Sequence, residues 1–316
     1  MRIAIIDLGT NTFNLLVADL QQNYPMEILH RSKYASKIGK GGINNNLITD
    51  KAIERGLTVL SEMNQIISEM QVEKTLAFAT SAIRSAKNGE EFAARIRTDF
   101  GFQVEIISGD REAELIYTGT KKAMELSYEK VAILDIGGGS NEIIIANEDK
   151  IFWKKSFPVG ITRLLERFQP SEPITRKEIH EIEEFLDTEL EELWEIQELY
   201  DVKTLIGSSG SFDTFKQMLL TNGYPTPQNN STQFEIKLKD FFHLHQDFLN
   251  STLEQRKAMP GMDMARVDLM VLASLFINYM VKKLGISKLY QSSYALKEGA
   301  LFEMAQNSER NLNGIN

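Results

Sequence analysis

Two stretches of this sequence place a carboxylate at the end of an apolar run, with a turn of small polar residues directly after it. They are "AIIDLGTNTFNLLV" around Asp7 and "LDIGGGSNEI" around Asp135. The two aspartates lie 135 − 7 = 128 positions apart. Turns of Gly, Ser, Thr and Asn expose successive backbone N–H groups with little side-chain bulk, which suits them to phosphate oxygens. Gly9, Thr10, Asn11 and Thr12 in the first copy, and Gly137, Gly138, Gly139, Ser140 and Asn141 in the second, are therefore candidate phosphate contacts. A carboxylate at the strand end can hold, directly or through water, the Mg²⁺ that accompanies such phosphates. Asp-x-Gly is also how ordinary hairpins turn, but a second copy in the same order argues against coincidence.

A third stretch, "TLIGSSGSFDTF" at 204–215, runs a strand into a small-residue loop and then a helix. Helix amino termini attract anions through free N–H groups and the helix dipole. Gly207, Ser208, Ser209, Gly210 and Ser211 join the candidates, although a tight strand-to-helix turn needs the same residue types. Glu112, after Gly109 and Asp110, reads from its own position as an acid in the first turn of a helix, where the dipole favours it. Arg84 reads equally well as a surface residue.

The elements that must position these residues repeat. Strands are expected near 2–7, 13–20 and 26–38, a helix near 49–70 opened by Thr49 or Asp50, a strand at 74–79, a helix at 88–99, a strand at 102–108 and a helix from 110 to about 125. That order is βββαβαβα. It restarts with strands near 130–136, 142–147 and 150–157, helices at 160–168 and 175–200, a strand at 203–207 and a helix at 211–220. Helices at 235–257 and 264–284, a strand at 286–291 and a helix at 295–306 follow. The fold class expected is a duplicated α/β architecture. Its domains are expected at 1–124 and 125–316, with the active-site cleft between them, inserted helices in the second, and the last helix packing back toward the first.

The chain has 316 residues, about twice the ~150-residue prior for one domain. It has no cysteine, which removes disulfides, thiolate chemistry and Cys-ligated metal sites together and permits a cytoplasmic location. The start "MRIAIID" is too short to be a signal-peptide core, and the apolar run at 270–281 is too short to span a bilayer, so it reads as a buried helix. No membrane association is expected. A formal net charge of −9 argues against broad binding to nucleic acid. The four histidines show no metal spacing, and "FHLH" at 242–245 reads as two rings on one side of an ordinary amphipathic segment.

The paired turns within duplicated βββαβαβα halves resemble the superfamily of actin, the sugar and acetate kinases and the heat-shock chaperone ATPases, whose domains are ribonuclease H-like. Within it, "AIIDLGTNTFNLLV", "ATSAIRSA", "EIISGDREAELIYTG", "LDIGGGSNEI" and "IGSSGSFDTF" stand in the order typical of the exopolyphosphatase/guanosine pentaphosphate phosphohydrolase (Ppx/GppA) family. The resemblance runs from about residue 3 to 305. It implies a Mg²⁺-dependent hydrolase, with a homodimer permitted, acting on terminal phosphates of inorganic polyphosphate or of pppGpp. Glu112 then matches the family's water-activating carboxylate, Arg84 its phosphate-facing arginine, and Asp7, Asp135 and Glu142 its acids near metal and phosphate.

Two positions depart from the family pattern. Asn141 stands where Thr is usual, and "SSYALKEG" at 292–299 replaces Ser-Asp-x-Gly-Leu-Arg-Glu-Gly, exchanging a planar guanidinium for Lys297. The chain also ends where longer members continue into further domains, so a preference for shorter polyphosphates is expected. Three other readings stand beside exopolyphosphatase. One is a pppGpp phosphohydrolase. Another is a kinase of the same superfamily, which the Glu112 motif disfavours. The third is a noncatalytic polyphosphate or (p)ppGpp sensor, against which Glu112, Asp135 and Glu142 together argue.

Overall fold

The computed structural model describes residues 1–20, 26–223 and 232–312. The chain divides into two compact units, one of Met1–Gly119 with the segment from Ala295, the other Thr120–Tyr294. The division falls inside a helix rather than after it.

The first unit carries β1 (Arg2–Leu8), β2 (Thr12–Asp19), β3 (Glu27–Ala35), α1 (Asp50–Glu69), β4 (Lys74–Ala79), α2 (Ser81–Ser85), α3 (Gly89–Phe100), β5 (Gln103–Ile106) and α4 (Gly109–Ala123). Its sheet runs β3-β2-β1-β4-β5, antiparallel from β3 to β1 and parallel from β1 to β5. β1 is apolar on both faces, as a central strand covered on both sides must be. In α1 the buried residues are Ala52, Gly56, Leu60, Met63 and Ile67, a single stripe at helical spacing, and Thr49 caps the helix by accepting from the Ala52 N–H at 3.3 Å.

The second unit carries β6 (Val131–Ile136), β7 (Asn141–Ala146), β8 (Ile151–Phe157), α5 (Ile161–Phe168), α6 (Arg176–Glu189), α7 (Glu191–Gln197), β9 (Thr204–Ser208) and α8 (Ser209–Thr221). After these come β10 (Gln233–Glu235), α9 (Leu238–Leu249), α10 (Leu253–Lys257), α11 (Met270–Lys283) and β11 (Lys288–Ser292). Its sheet runs β10-β11-β9-β6-β7-β8. β6, β9 and β11 are parallel, and β6 to β8 form the antiparallel arm. The order β8-β7-β6-β9-β11 reproduces that of the first sheet, so the duplicated α/β fold is present. The apolar run at 270–281 lies in α11, every residue of it buried, as a helix inside a core requires.

The last helix, α12 (Leu296–Leu312), packs on β1 and β2 and belongs to the first unit. Glu298 at its third position is fully buried. It accepts from the Ala295 N–H at 3.0 Å, half of a capping box, and from Arg31 Nη1 at 2.6 Å, with Lys297 Nζ at 3.2 Å.

Four local expectations differ. The helix expected at 175–200 breaks at Leu190 into α6 and α7, because Leu190 leaves helical geometry at φ −104°, ψ 15°. The segment 235–257 is a helix pair preceded by β10, which pairs with β11. α2 is not anticipated, since a five-residue helix is too short to show a period. His243 and His245 lie on opposite sides of α9, the first exposed and the second buried, because residues two apart on a helix do not share a face.

Candidate active site

In each sheet the candidate residues follow the carboxyl ends of the three parallel strands, where open α/β sheets place ligands. In the first unit these ends are Leu8, Ala79 and Ile106, followed by the 9–12 turn, by α2 with Arg84 and by α4 with Glu112. In the second they include Ile136 and Ser208, followed by the 137–140 turn and by α8.

The two turns close in the same way. The Gly9 N–H donates to the Thr12 carbonyl at 3.1 Å, and the Gly137 N–H to the Ser140 carbonyl at 3.0 Å. Carbonyls of the second turn are held by the start of α5. Ile161 N–H donates to Gly137 O and Thr162 N–H to Gly138 O, both at 2.9 Å, and Arg163 Nε reaches Gly139 O at 2.9 Å. A trans peptide points its C=O and its N–H to opposite sides. The N–H groups of Gly138, Gly139 and Ser140 are therefore turned away from α5. Gly160 makes this possible, because a Cβ there would lie 2.4 Å from the Gly138 and Gly139 backbone.

Four polar residues stand in register across the second sheet. Asp135 pairs with Ser208 of β9 on one side and with Glu142 of β7 on the other, and Glu142 pairs in turn with Ser156 of β8. Direct cross-strand partners share a face. Ser208 Oγ donates to Asp135 Oδ2 at 2.7 Å, while Ser140 Oγ and Ser156 Oγ both donate to Glu142 Oε1 at 2.6 Å. Asp135 and Glu142 are both buried. Ser209, in the left-handed region at φ 67°, turns the chain into α8 and donates its hydroxyl to Ile136 O at 3.0 Å.

The corresponding row of the first sheet is Phe78, Asp7, Asn14 and Lys33. Asp7 Oδ2 accepts from Asn14 Nδ2 at 2.9 Å, so an amide occupies the place that a second carboxylate takes in the other unit. Elsewhere in this unit Arg84 Nη1 donates to Glu112 Oε2 at 2.7 Å and to Ile107 O at 3.1 Å. The two residues assigned to catalysis by resemblance thus touch each other. Ser108 supports the start of α4, its hydroxyl accepting from the Arg111 N–H at 3.1 Å.

Three further candidates have packed surroundings. Asn141 is fully buried with its amide on Val159 O at 3.0 Å, and strand alternation puts it on the face opposite Glu142. Gly207 lies within β9 under the Phe212 ring, where any Cβ would overlap it. Gly210 is likewise covered, by the guanidinium of the buried Arg266. Thr10 and Thr12 are buried, while Gly9 and Asn11 are half-buried. Asn14, Lys33, Ser156, Gly160 and Arg266 are not found from sequence motifs. Only Asn14 carried a signal, standing 128 positions before Glu142.

Two sheets of one topology, each with an Asp-led turn at the carboxyl end of its central strand, define a duplicated phosphate-handling α/β protein. The chain belongs to the Ppx/GppA phosphatase family, whose model matches residues 16–308. It is similar to a crystal structure of an exopolyphosphatase from Cytophaga hutchinsonii, with 35% identity, 97% of this chain and 98% of that one covered, and a TM-score of 0.93. A putative exopolyphosphatase of Haemophilus influenzae is 26% identical over 96% of this chain and 92% of its own length. A guanosine-5'-triphosphate,3'-diphosphate pyrophosphatase of Photobacterium profundum is 25% identical over 95% of this chain and 59% of its own length. These relatives are named as hydrolases of phosphoric anhydrides.

Membership of the Ppx/GppA phosphatase family suggests a divalent metal in general terms. Among the described residues no group of three or more acidic or histidine side chains gathers as a ready-made cage. Asp135 and Glu142, with the hydroxyls around them, instead form an all-oxygen set with two carboxylates. That set fits a hard cation that keeps water and substrate phosphate as its remaining ligands. No helix among the described residues is long and apolar enough to cross a membrane.

Proposed function

We propose that this protein is a Mg²⁺-dependent exopolyphosphatase that releases terminal phosphate from inorganic polyphosphate. The reading rests above all on the Asp135–Glu142 pair beside a turn whose N–H groups face away from α5. The 35% identity to an exopolyphosphatase supports the choice of substrate.

In this reading Asp135 and Glu142 hold Mg²⁺, which when bound offsets the charge of the phosphate oxygens. The amides of Gly138, Gly139 and Ser140 fix those oxygens, a task suited to a transition state that is loose and mainly needs positioning and charge stabilisation. Glu112 takes the proton of the attacking water as its oxygen bonds to the terminal phosphorus. The bridging P–O bond breaks, and the shortened chain leaves with the electron pair. Arg84 keeps the Glu112 carboxylate in place through its 2.7 Å contact. The absence of cysteine suits a cytoplasmic setting.

The test is phosphate release from polyphosphates of several lengths, from pppGpp and from ATP, each with and without Mg²⁺. Polyphosphate is the expected substrate, with activity lost on chelation. Faster turnover of pppGpp than of every polyphosphate would overturn the reading in favour of the pppGpp phosphohydrolase.

A further inference from the structure

Ser156 lies outside every glycine-rich motif of this sequence, on β8, the edge strand of the second sheet. Its cross-strand partner is Glu142, and its hydroxyl donates to Glu142 Oε1 at 2.6 Å, a length typical of a strong bond to a carboxylate. Ser140 donates to the same oxygen at the same distance. The terminal torsion of a glutamate is broad and roughly two-fold, so without such bonds the carboxylate plane is poorly fixed. Two donors converging on one oxygen remove that freedom.

The two donors are not equivalent. Ser140 belongs to the turn that would receive phosphate, whereas Ser156 is held in a β-ladder. The fold itself does not demand a hydroxyl at this place, since the corresponding position of the first sheet carries Lys33 beside Asn14. Serine stands here where the neighbouring strand carries a second carboxylate.

We propose that Ser156 is a positioning residue for divalent-cation binding, orienting the Glu142 carboxylate from β8. The proposal rests on the reading of Asp135 and Glu142 as the cation's carboxylates, not on the identity of the phosphate substrate. Residues that orient a metal's ligands typically change affinity by about 10- to 100-fold when removed. With Ser140 still in place, the lower end applies.

The experiment titrates Mn²⁺, as a paramagnetic stand-in for Mg²⁺, into the substrate-free full chain by electron paramagnetic resonance. It compares the wild-type protein with Ser156→Ala, Ser156→Thr and Ser156→Cys. Ser156→Ala is expected to weaken Mn²⁺ binding about 10-fold, and Ser156→Thr, which keeps the hydroxyl, to stay within about 3-fold of wild type. Ser156→Cys keeps the size with a poor donor, so it should follow alanine and decides the matter if the alanine variant does not fold. In phosphate release the Mg²⁺ concentration for half-maximal rate should rise while the rate at saturating Mg²⁺ is largely kept. Unchanged Mn²⁺ affinity in the folded alanine or cysteine variant, equal loss in the threonine variant, or no Mn²⁺ binding by the wild type would each overturn the proposal. A protein that binds Mn²⁺ with the expected variant pattern but hydrolyses no polyphosphate would uphold Ser156 and remove the exopolyphosphatase reading alone.

Discussion

Ser208 occupies the N-cap position of α8, yet its hydroxyl makes no capping bond and instead donates to Asp135 Oδ2 at 2.7 Å. A serine at this position ordinarily contributes about 1 kcal/mol to its helix by bonding the backbone two or three residues on. Here that contribution is given up to fix a buried carboxylate. Ser208→Ala should therefore cost about 1–3 kcal/mol through Asp135 rather than through the helix end. Urea unfolding monitored by circular dichroism measures it, and a change below ~0.5 kcal/mol would show that Asp135 does not depend on the bond.

Glu112 lies in the first turn of α4 and against Arg84 at 2.7 Å. If it only supported the helix start, Glu112→Gln would cost ~0.3–1 kcal/mol and leave turnover alone. As the acceptor of the water proton it should instead lose ~10²-fold or more in kcat with the fold intact, because an amide cannot take that proton. Phosphate-release kinetics beside a thermal melt separate the two.

The 137–140 turn depends on a residue that no phosphate would touch. A Cβ at Gly160 would sit 2.4 Å from the Gly138 and Gly139 backbone, so Gly160→Ala must push the turn away from α5. The expected result is a loss of about 1–3 kcal/mol in stability together with a raised KM for polyphosphate. A folded Gly160→Ala protein with wild-type KM would disconnect the turn from substrate binding.

His245 predicts a pH dependence of stability. It is buried in α9, stacks on Phe241 and pairs through Nδ1 with Ser274 Oγ at 3.0 Å. Since the Ser274 hydroxyl donates to Val271 O at 2.8 Å, its oxygen accepts from an Nδ1–H. Burial, reinforced by Lys282, lowers the imidazole to about 4 from its ordinary 6.5. The unfolded chain thus takes up this proton near pH 6.5 and the folded chain only near pH 4. The stability His245 contributes is full above 6.5 and is lost as pH falls through that window, on the order of 3 kcal/mol. Unfolding free energies measured between pH 7 and 4.5 should show this slope, and His245→Leu should flatten it.

Local chemistry settles a large part of this molecule. The two Asp-led turns, the Thr49 cap and the apolar helix at 270–281 all depend on residues within a few positions of one another. Periodicity, capping and turn composition act over that range, so a single strand of text carries them.

What lies beyond that range was decided by packing between distant segments. That Ser156 faces Glu142, and that Lys33 stands beside Asn14, depends on strand register, which is set by long-range pairing and, between β7 and β8, by an irregularity at Ile145/Ala146. The contact of Arg84 with Glu112 needs α2 and the start of α4 to meet after two parallel strands. Asn141 fits the motif pattern of a phosphate site, but its side chain lies in the core on Val159 O, because strand alternation determines where it points. The sequence names the residue types a phosphate site needs, and pairing across the sheets selects which of them stand on one face.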